Sequence, residues 1–496
     1  MYKKIVVIGG GVAGLSSGIY AQMNGYDTEI VEMHTVAGGQ CTAWTRKGYR
    51  FDYCLHWLVG TARGDLNSIW KETNVLNGET NIIDHEIHTR MVNDKGEDFI
   101  IYSDIDQWEN YLIKIAPEDE RSIRKMCKSM RKGGSFEPTD SGSGFKGKIK
   151  KYLSYLKIIP LLPIFIKYGR KNCNDYFKEL NFKNPRLTYF LNETYGSRNF
   201  SAVAFIMMLG WFHKKNAGYI TGGSLPMAKR MTDRFLDLGG KLALGKRVDK
   251  IIVENNTAKG VVLSDGRVIS ADYVIGAADG YNTIFNMLGG TYVSDEIRKA
   301  YETWDLFTPF VQVSFGLKTV IPAEYPLQNF IGDQKMIGST ELKYGFSLMN
   351  YAYDFTMAPE GKSVMVMRFE SPWEFWNDLK SEEYKAEKKQ IETDATAVLE
   401  SIYPELAGKI EVVDVATPIT NVRYTGVWKG SYEGFSPSAS NITKHLGNTL
   451  PGLDNFYMAG QWLFPGGGLP PSVLSGKTAI RKICKNDNKS FKVAAE

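Results

Sequence analysis

The sequence predicts an α/β protein: a parallel sheet of the nucleotide-binding kind, split along the chain, with an inserted α+β domain built on an antiparallel sheet. Three observations predict it. The apolar run KKIVVIGG passes directly into Gly9-x-Gly11-x-x-Gly14. A block over 216–285 repeats the order of helix and short strands. Over 286–450, PFVQVSFGLKT, GFSLMNYAYDFTMA and SVMVMRFES alternate apolar and polar residues as antiparallel strands do.

The opening run has the form of a strand buried on both faces. Gly9 permits a tight turn, Gly11 lets a pyrophosphate approach the backbone, and Gly14 lets the next helix pack on the strand. That helix presents the amides of Val12 and Ala13 to an anion. The strand DTEIVEM then ends near Glu32 and Met33, and Glu32 lies about 20 residues on, where a ribose diol is met. Strand, turn, helix and acid together form a Rossmann dinucleotide fingerprint. A carboxylate at 32 argues against a 2′-phosphate in this site.

Bulk properties set the frame. With 496 residues the chain exceeds one ordinary domain. An aromatic content of 12% leaves material to line an apolar cavity, and a net charge of +5 is too dilute for a nucleic-acid face. Cys41, Cys54, Cys127, Cys173 and Cys484 show no CxxC spacing, which points to reduced thiols, no disulfide framework and no metal site. The first strand begins at about Lys3, leaving no room for a signal peptide. No apolar run reaches the roughly 18–20 residues that cross a bilayer. The expected location is the cytoplasm.

Gly38-Gly39 forms a second glycine turn soon after Glu32, with Gln40 next and Phe51-Asp52 beyond. This resembles the GG-R-x-x-S/T element of the FAD-binding glutathione-reductase-2 superfamily, which includes amine oxidases, phytoene desaturases, carotenoid isomerases and retinol saturases. Gln40 stands where that family usually has arginine, so one charged phosphate contact is missing or supplied elsewhere. The resemblance implies FAD as cofactor.

Further along, 104–130 reads as helical, and 132–148 is a Gly/Ser-rich polar loop. In KIKKYLSYLKIIPLLPIFIKYGRK, lysines and arginines bracket an apolar stretch broken by Pro160 and Pro163. Two readings of 145–172 stay open: a segment lying in the headgroups of an anionic bilayer, or a helix pair covering a cavity with its lysines in water. The next block holds a helix over 225–238, stopped by Gly239-Gly240, and strands joined at Asn255-Asn256 and Asp265-Gly266. It resembles the second part of the same fold, where the residue matching Val248 holds adenine through its backbone and the strand ending at Ala277-Ala278-Asp279 returns beside the first. EEYKAEKKQIETDATAVLESIY is a strong amphipathic helix of the substrate domain, and TPITNVRYTGVWKGSYEGF resembles a late segment of phytoene desaturases.

The C-terminal stretch LDNFYMAGQWLFPGGGLPPSVLSGKTAIRKI reads as strand, Gly460, glycine-rich loop and a helix starting near Pro470 or Pro471. It resembles the C-terminal signature of phytoene-desaturase-like and retinol-saturase-like flavoproteins. By that resemblance Gly460, Gln461, Gly468, Leu469 and Pro470 meet the flavin, with Gln461 where many relatives carry aspartate. Two helix N-termini, one from each end of the chain, are thus expected on one FAD, the second stabilising the reduced ring.

The expected segments are 1–103 (FAD-binding, first part), 104–215 (helical lid of the substrate domain), 216–285 (FAD-binding, second part), 286–450 (substrate domain), 451–485 (FAD-binding, third part) and a tail, 486–496. The resemblance implies long, apolar isoprenoid or polyene substrates and hydride transfer at carbon–carbon bonds, by desaturation or saturation. The alternatives are redox-neutral cis–trans isomerisation on reduced flavin and amine oxidation. With no second GxGxxG unit, NAD(P)H enters only as a transient reductant. Among side chains, His56 is a candidate acid or base, or a packed histidine; His213 is a weaker one. Trp57, Trp462 and Phe464 line the ring or the tunnel, or belong to the core. Arg423 meets a substrate carboxylate or a flavin phosphate, or forms a structural salt bridge.

Overall fold

The computed structural model describes residues 2–136, 140, 159–196, 199–332 and 335–493. Strand β1 (Lys4–Ile8) has four of its five residues fully buried, as a doubly covered parallel strand requires. It lies at the centre of a five-stranded parallel sheet in the order Lys241–Ala243, β2 (Asp27–Val31), β1, Tyr273–Gly276, Phe456–Met458. Strands from 1–103, 216–285 and 451–485 therefore share one sheet. Helix α1 (Val12–Met23) packs between the helices Leu469–Asn486 and Ser224–Asp237.

A seven-stranded sheet forms the second layer, in the order Ile410–Ala416, Phe310–Leu317, Ser363–Glu370, Phe346–Asn350, Leu327–Phe330, Ile87–Val92, Asp98–Tyr102. Its pairs are antiparallel except where Leu327–Phe330 runs parallel to Ile87–Val92. This moves one expected boundary. Strands 87–92 and 98–102, placed by sequence in the first cofactor segment, belong to the substrate-side sheet, so the break falls before residue 87 and not at 103. Helices Ile105–Ile115, Glu120–Gly133, Cys173–Leu180 and Ala202–His213 gather around a separate core that includes Trp108, Met126, Tyr176 and Phe205. Gly133, Gly134 and Gly210 let two of them touch backbone to backbone, since a Cβ on Gly134 would stand 2.2 Å from the Gly210 carbonyl oxygen.

Of the apolar segment 145–172, residues 145–158 lie outside the described residues, as do 137–139 and 141–148 of the glycine-serine loop at 132–148. The described remainder forms a short helix, Leu162–Tyr168, with Ile159, Leu162 and Ile166 exposed. Lys167 and Lys171 both pair with Glu179. No helix among the described residues is long and apolar enough to cross a membrane.

Asp52 ties the layers together. Wholly buried, its carboxylate accepts from the amides of Cys54 (3.0 Å), Leu55 (3.0 Å) and Ser224 (2.6 Å) and from the Ser224 hydroxyl (2.6 Å). Asp52→Ala removes the acceptor shared by these groups and leaves the Cys54 and Ser224 amides unmet (the Leu55 amide keeps Ser224 Oγ, 2.9 Å), and we expect it to cost about 3 kcal/mol or more in a denaturant titration, because each unmet donor costs about 1–3 kcal/mol.

Candidate functional site

The two glycine turns near the N-terminus lie against each other. Gly9, at φ +98°, donates to the Val31 carbonyl (2.8 Å), and the Gly38 amide donates to Gly10 O (2.9 Å). Gly11 and Gly38 form a β-bridge, and a Cβ on Gly39 would stand 3.1 Å from Gly11 Cα. Together they wall one end of a cavity of about 1260 Å³. Val12 and Ala13 also reach this wall. Gly14 does not line it; a Cβ there would collide with Gly9 O at 1.9 Å. Its part is helix packing, as its place in the fingerprint predicts.

Glu32 lines the same end. Its Oε2 accepts from the Gly10 amide (2.6 Å) and its Oε1 from the His34 amide (2.8 Å), while burial pushes the carboxyl up. Each oxygen keeps a lone pair for a ligand hydroxyl. Met33, Val248 and Ala278 complete this wall. Asp279 accepts from the amides of Asn282 (2.8 Å) and Trp428 (2.9 Å), with burial pushing it up to about 6. Arg423 stands exposed on the rim, with no ionic or hydrogen-bonding partner among the described residues.

The C-terminal turn reaches the cavity from the other side. Gly460 donates its amide to Ser475 Oγ (2.8 Å), and Gln461 Nε2 donates to Tyr432 O (3.2 Å). Gly468, at φ +81°, precedes helix Leu469–Asn486, which carries Pro470 and Pro471 in its first turn. Those prolines have no N–H, so Gly468 and Leu469 carry the amides nearest the cavity, and the helix contributes mainly its dipole. Gly476 lets this helix lie on α1: a Cβ would stand 2.6 Å from Ala13 O, and the Ser16 hydroxyl donates to Val473 O (2.8 Å). Two helix N-termini from opposite ends of the chain thus share one cavity. Gln40, on the cavity wall, ties the second glycine turn to the 418–435 segment, donating to Ser431 O (3.4 Å) and accepting from Asn421 Nδ2 (3.3 Å).

His56 lines the cavity, yet the arrangement removes it as an acid or base. Arg368 Nη1 donates to its Nε2 (3.0 Å), which places the ring proton on Nδ1, and Nδ1 is buried without a partner among the described residues. Burial and the Arg368 charge push the imidazole down to about 3. His213 lies off the cavity, where its Nδ1 accepts from the Ile105 amide (3.2 Å) at a helix start. Trp57 packs on Phe212 and also faces the cavity; Trp462 and Phe464 do both as well, within a cluster that includes Phe435.

Beyond the turns the walls become apolar. Phe136, Phe165, Phe200, Met207, Met208 and Trp211 surround this half. Sequence reasoning missed Arg368 and Glu433. Arg368 is fixed by Gln312 Oε1 (2.9 Å) and Tyr53 O (2.7 Å) and stacks on Phe310. Arg368 sits in no motif, and Glu433 lies in the 417–435 segment with nothing local to single it out; only the pairing of distant strands and the return of that segment bring them in.

The residues present fit FAD. A double glycine cradle in which a Cβ on Gly9, Gly38 or Gly39 would stand 2.5–3.1 Å from neighbouring backbone, a carboxylate with spare lone pairs and two converging helix ends suit a dinucleotide, and the volume exceeds the roughly 300–1,000 Å³ of ordinary small-molecule sites.

Comparison with known proteins agrees. The family described as flavin containing amine oxidoreductase matches residues 12–484. The chain is 24% identical to prolycopene isomerase 2, chloroplastic, from an Oncidium hybrid cultivar, over 96% of this chain and 83% of that protein. It is 23% identical to 4,4'-diapophytoene desaturase (4,4'-diapolycopene-forming) from Methylomonas sp, over 99% and 97%. In fold it is similar to an oxidoreductase from Methanosarcina mazei, with a TM-score of 0.62, 17% identity and coverage of 96% and 100%.

Proposed function

Because this chain belongs to the flavin-containing amine oxidoreductase family, we propose that it is a FAD-dependent oxidoreductase acting on carbon–carbon bonds of long apolar isoprenoid or polyene substrates, by desaturation or saturation. The observation that carries this reading is the single cavity running from the glycine cradle into apolar walls. Bound flavin supplies hydride exchange with carbon. The start of α1 would hold its pyrophosphate, Glu32 would meet a ribose, and the Gly460–Gln461 and Gly468–Pro470 backbone would lie beside the ring. Arg368, locked by three partners, stiffens the wall between the two halves. The apolar half excludes water and aligns a long chain.

Amine oxidation is the weaker reading. Among the described residues the one lysine at the cavity wall is Lys246, at the Glu32 end, where its amide donates to Glu32 O (2.8 Å). Likeness to prolycopene isomerases favours a second reading, redox-neutral isomerisation of polyenes on reduced flavin. Anaerobic spectra separate the three. Polyenes, not amines, are expected to bleach the flavin of a desaturase. NADH or NADPH, as transient donor, bleaches it in a saturase or a primed isomerase, and an isomerase then turns over without net electron loss. An enzyme bleached by amines and indifferent to polyenes would sink the proposal.

Ile159, Leu162 and Ile166 are exposed on the element whose Phe165 faces the cavity. We read this as a patch that rests on a membrane surface from which an apolar substrate enters, with the enzyme otherwise in the cytoplasm. Ile166→Asp is expected to weaken sedimentation with anionic phospholipid vesicles by about tenfold, the worth of one lost aliphatic burial. Equal sedimentation of the two proteins counts against it.

A further inference from the structure

Where the glycine turn at 466–468 meets the aromatic wall, the cavity holds a carboxyl group that no donor among the described residues reaches. Glu433 lies directly on that turn. A Cβ on Gly467 would stand 1.9 Å from the Glu433 carbonyl oxygen, and one on Gly468 would stand 3.1 Å from its Oε1. Gly468, which reads in sequence as a flavin contact, and its neighbour Gly467 are therefore also what lets Glu433 approach. Its neighbour Tyr432 packs on Phe307 (5.2 Å) and Phe310 (4.9 Å), at the junction with the apolar half.

The contrast with the other buried carboxylates is chemical. Glu32, Asp52 and Asp279 each accept two or more backbone amides. Glu433, half-buried on the cavity wall, accepts none from any described residue. Burial alone pushes it up to about 7. The Cys54 thiol is close enough to feel its charge, Tyr432 flanks it, and Arg368 is held one ring away, stacked on Phe310 (4.7 Å). A side chain needed only for packing would not be an unpartnered carboxyl, which is costly to bury. One that exchanges protons near neutral pH fits the place.

We propose that Glu433 is the acid–base residue of this cavity, taking the proton released from substrate carbon in desaturation and returning it in saturation. The inference rests on the carbon–carbon reading above. In desaturation two C–H bonds break and one carbon–carbon π bond forms. The hydride carries both electrons to the flavin, and the proton from the adjacent carbon goes to the Glu433 carboxylate. In saturation the same proton and hydride travel back.

The test uses the FAD-loaded enzyme, Glu433→Gln and Glu433→Asp, with a polyene in anaerobic single turnover. Wild-type flavin reduction is expected to rise as pH rises through about 7, as a base requires. Glu433→Gln should keep its flavin but react on the order of 10²–10⁴-fold more slowly and without that pH dependence, with Glu433→Asp between the two. Infrared difference spectra of the resting enzyme, taken from about pH 5 to about pH 9, should show a carboxyl C=O band that titrates and is absent from Glu433→Gln. Loss of flavin from Glu433→Gln would assign the group to cofactor binding and overturn the inference, as would a wild-type rate and pH profile. If no polyene reduces the wild-type flavin and none reoxidises the flavin once NADPH has reduced it, the substrate reading fails, and the inference with it. If the wild type reacts and the variant matches it, only the inference fails.

Discussion

Gly14→Ala should yield a colourless protein. In an exposed helix this substitution is favourable by about 1 kcal/mol, because alanine is the better helix former. Here the new methyl would sit 1.9 Å from the Gly9 carbonyl oxygen, inside the turn proposed to bear the cofactor. Moving α1 away to restore contact displaces the amides of Gly11, Val12 and Ala13 together and loosens the seam with helix Leu469–Asn486, where Gly476 already touches Ala13. Sterics win over propensity. FAD affinity, followed by fluorescence quenching on reconstitution, is expected to fall at least about 100-fold, equivalent to about 3 kcal/mol. Gly25→Ala is the control: its φ is +74°, so the change costs some strain, but a Cβ there meets nothing within 4 Å. It should keep its flavin. A Gly14→Ala protein that binds FAD within tenfold of wild type would mean that the turn is not the pyrophosphate cradle.

That such a test can be written from residues 9 to 14 shows why this part of the protein is legible in sequence. Turn, helix start and acid lie within one short stretch, and each glycine has a local steric reason. The C-terminal turn is legible for the same cause, although only the fold shows that Gly476 serves the α1 seam and that Gly467 makes room for Glu433. Legibility fails where partners are remote. Strands 87–92 and 98–102 have the same alternation whichever sheet they join, so nothing local could place them with Leu327–Phe330. His56 resembles a catalytic histidine until Arg368, from another strand, takes its Nε2. Glu433 is a lone acid among glycines and aromatics in the sequence, and becomes conspicuous only when its missing donors can be counted. His213 borders a lysine pair in sequence, but in the fold it caps a helix.

Filling the apolar half should separate substrate from cofactor. Ala204 lies on the wall beside Met207 and Met208, on helix Ala202–His213, away from the glycine cradle. Ala204→Trp adds an indole to that wall, and a tryptophan brings about 150–250 Å² of surface to be covered. The space has to come from the cavity, because the opposite face of the helix packs through Phe205, Ile206 and Leu209, which are already fully buried. FAD binding is expected to stay within about twofold of wild type, while kcat/KM for a long polyene falls at least about 100-fold, near 3 kcal/mol of lost binding and alignment. A shorter polyene should lose less, since it leaves this end of the tunnel unfilled. Undiminished turnover of the long substrate would mean that the chain runs elsewhere, and that the apolar walls serve packing alone. Loss of flavin from the same variant would mean instead that the two halves are not separable, and that the helical layer holds the cofactor side in shape.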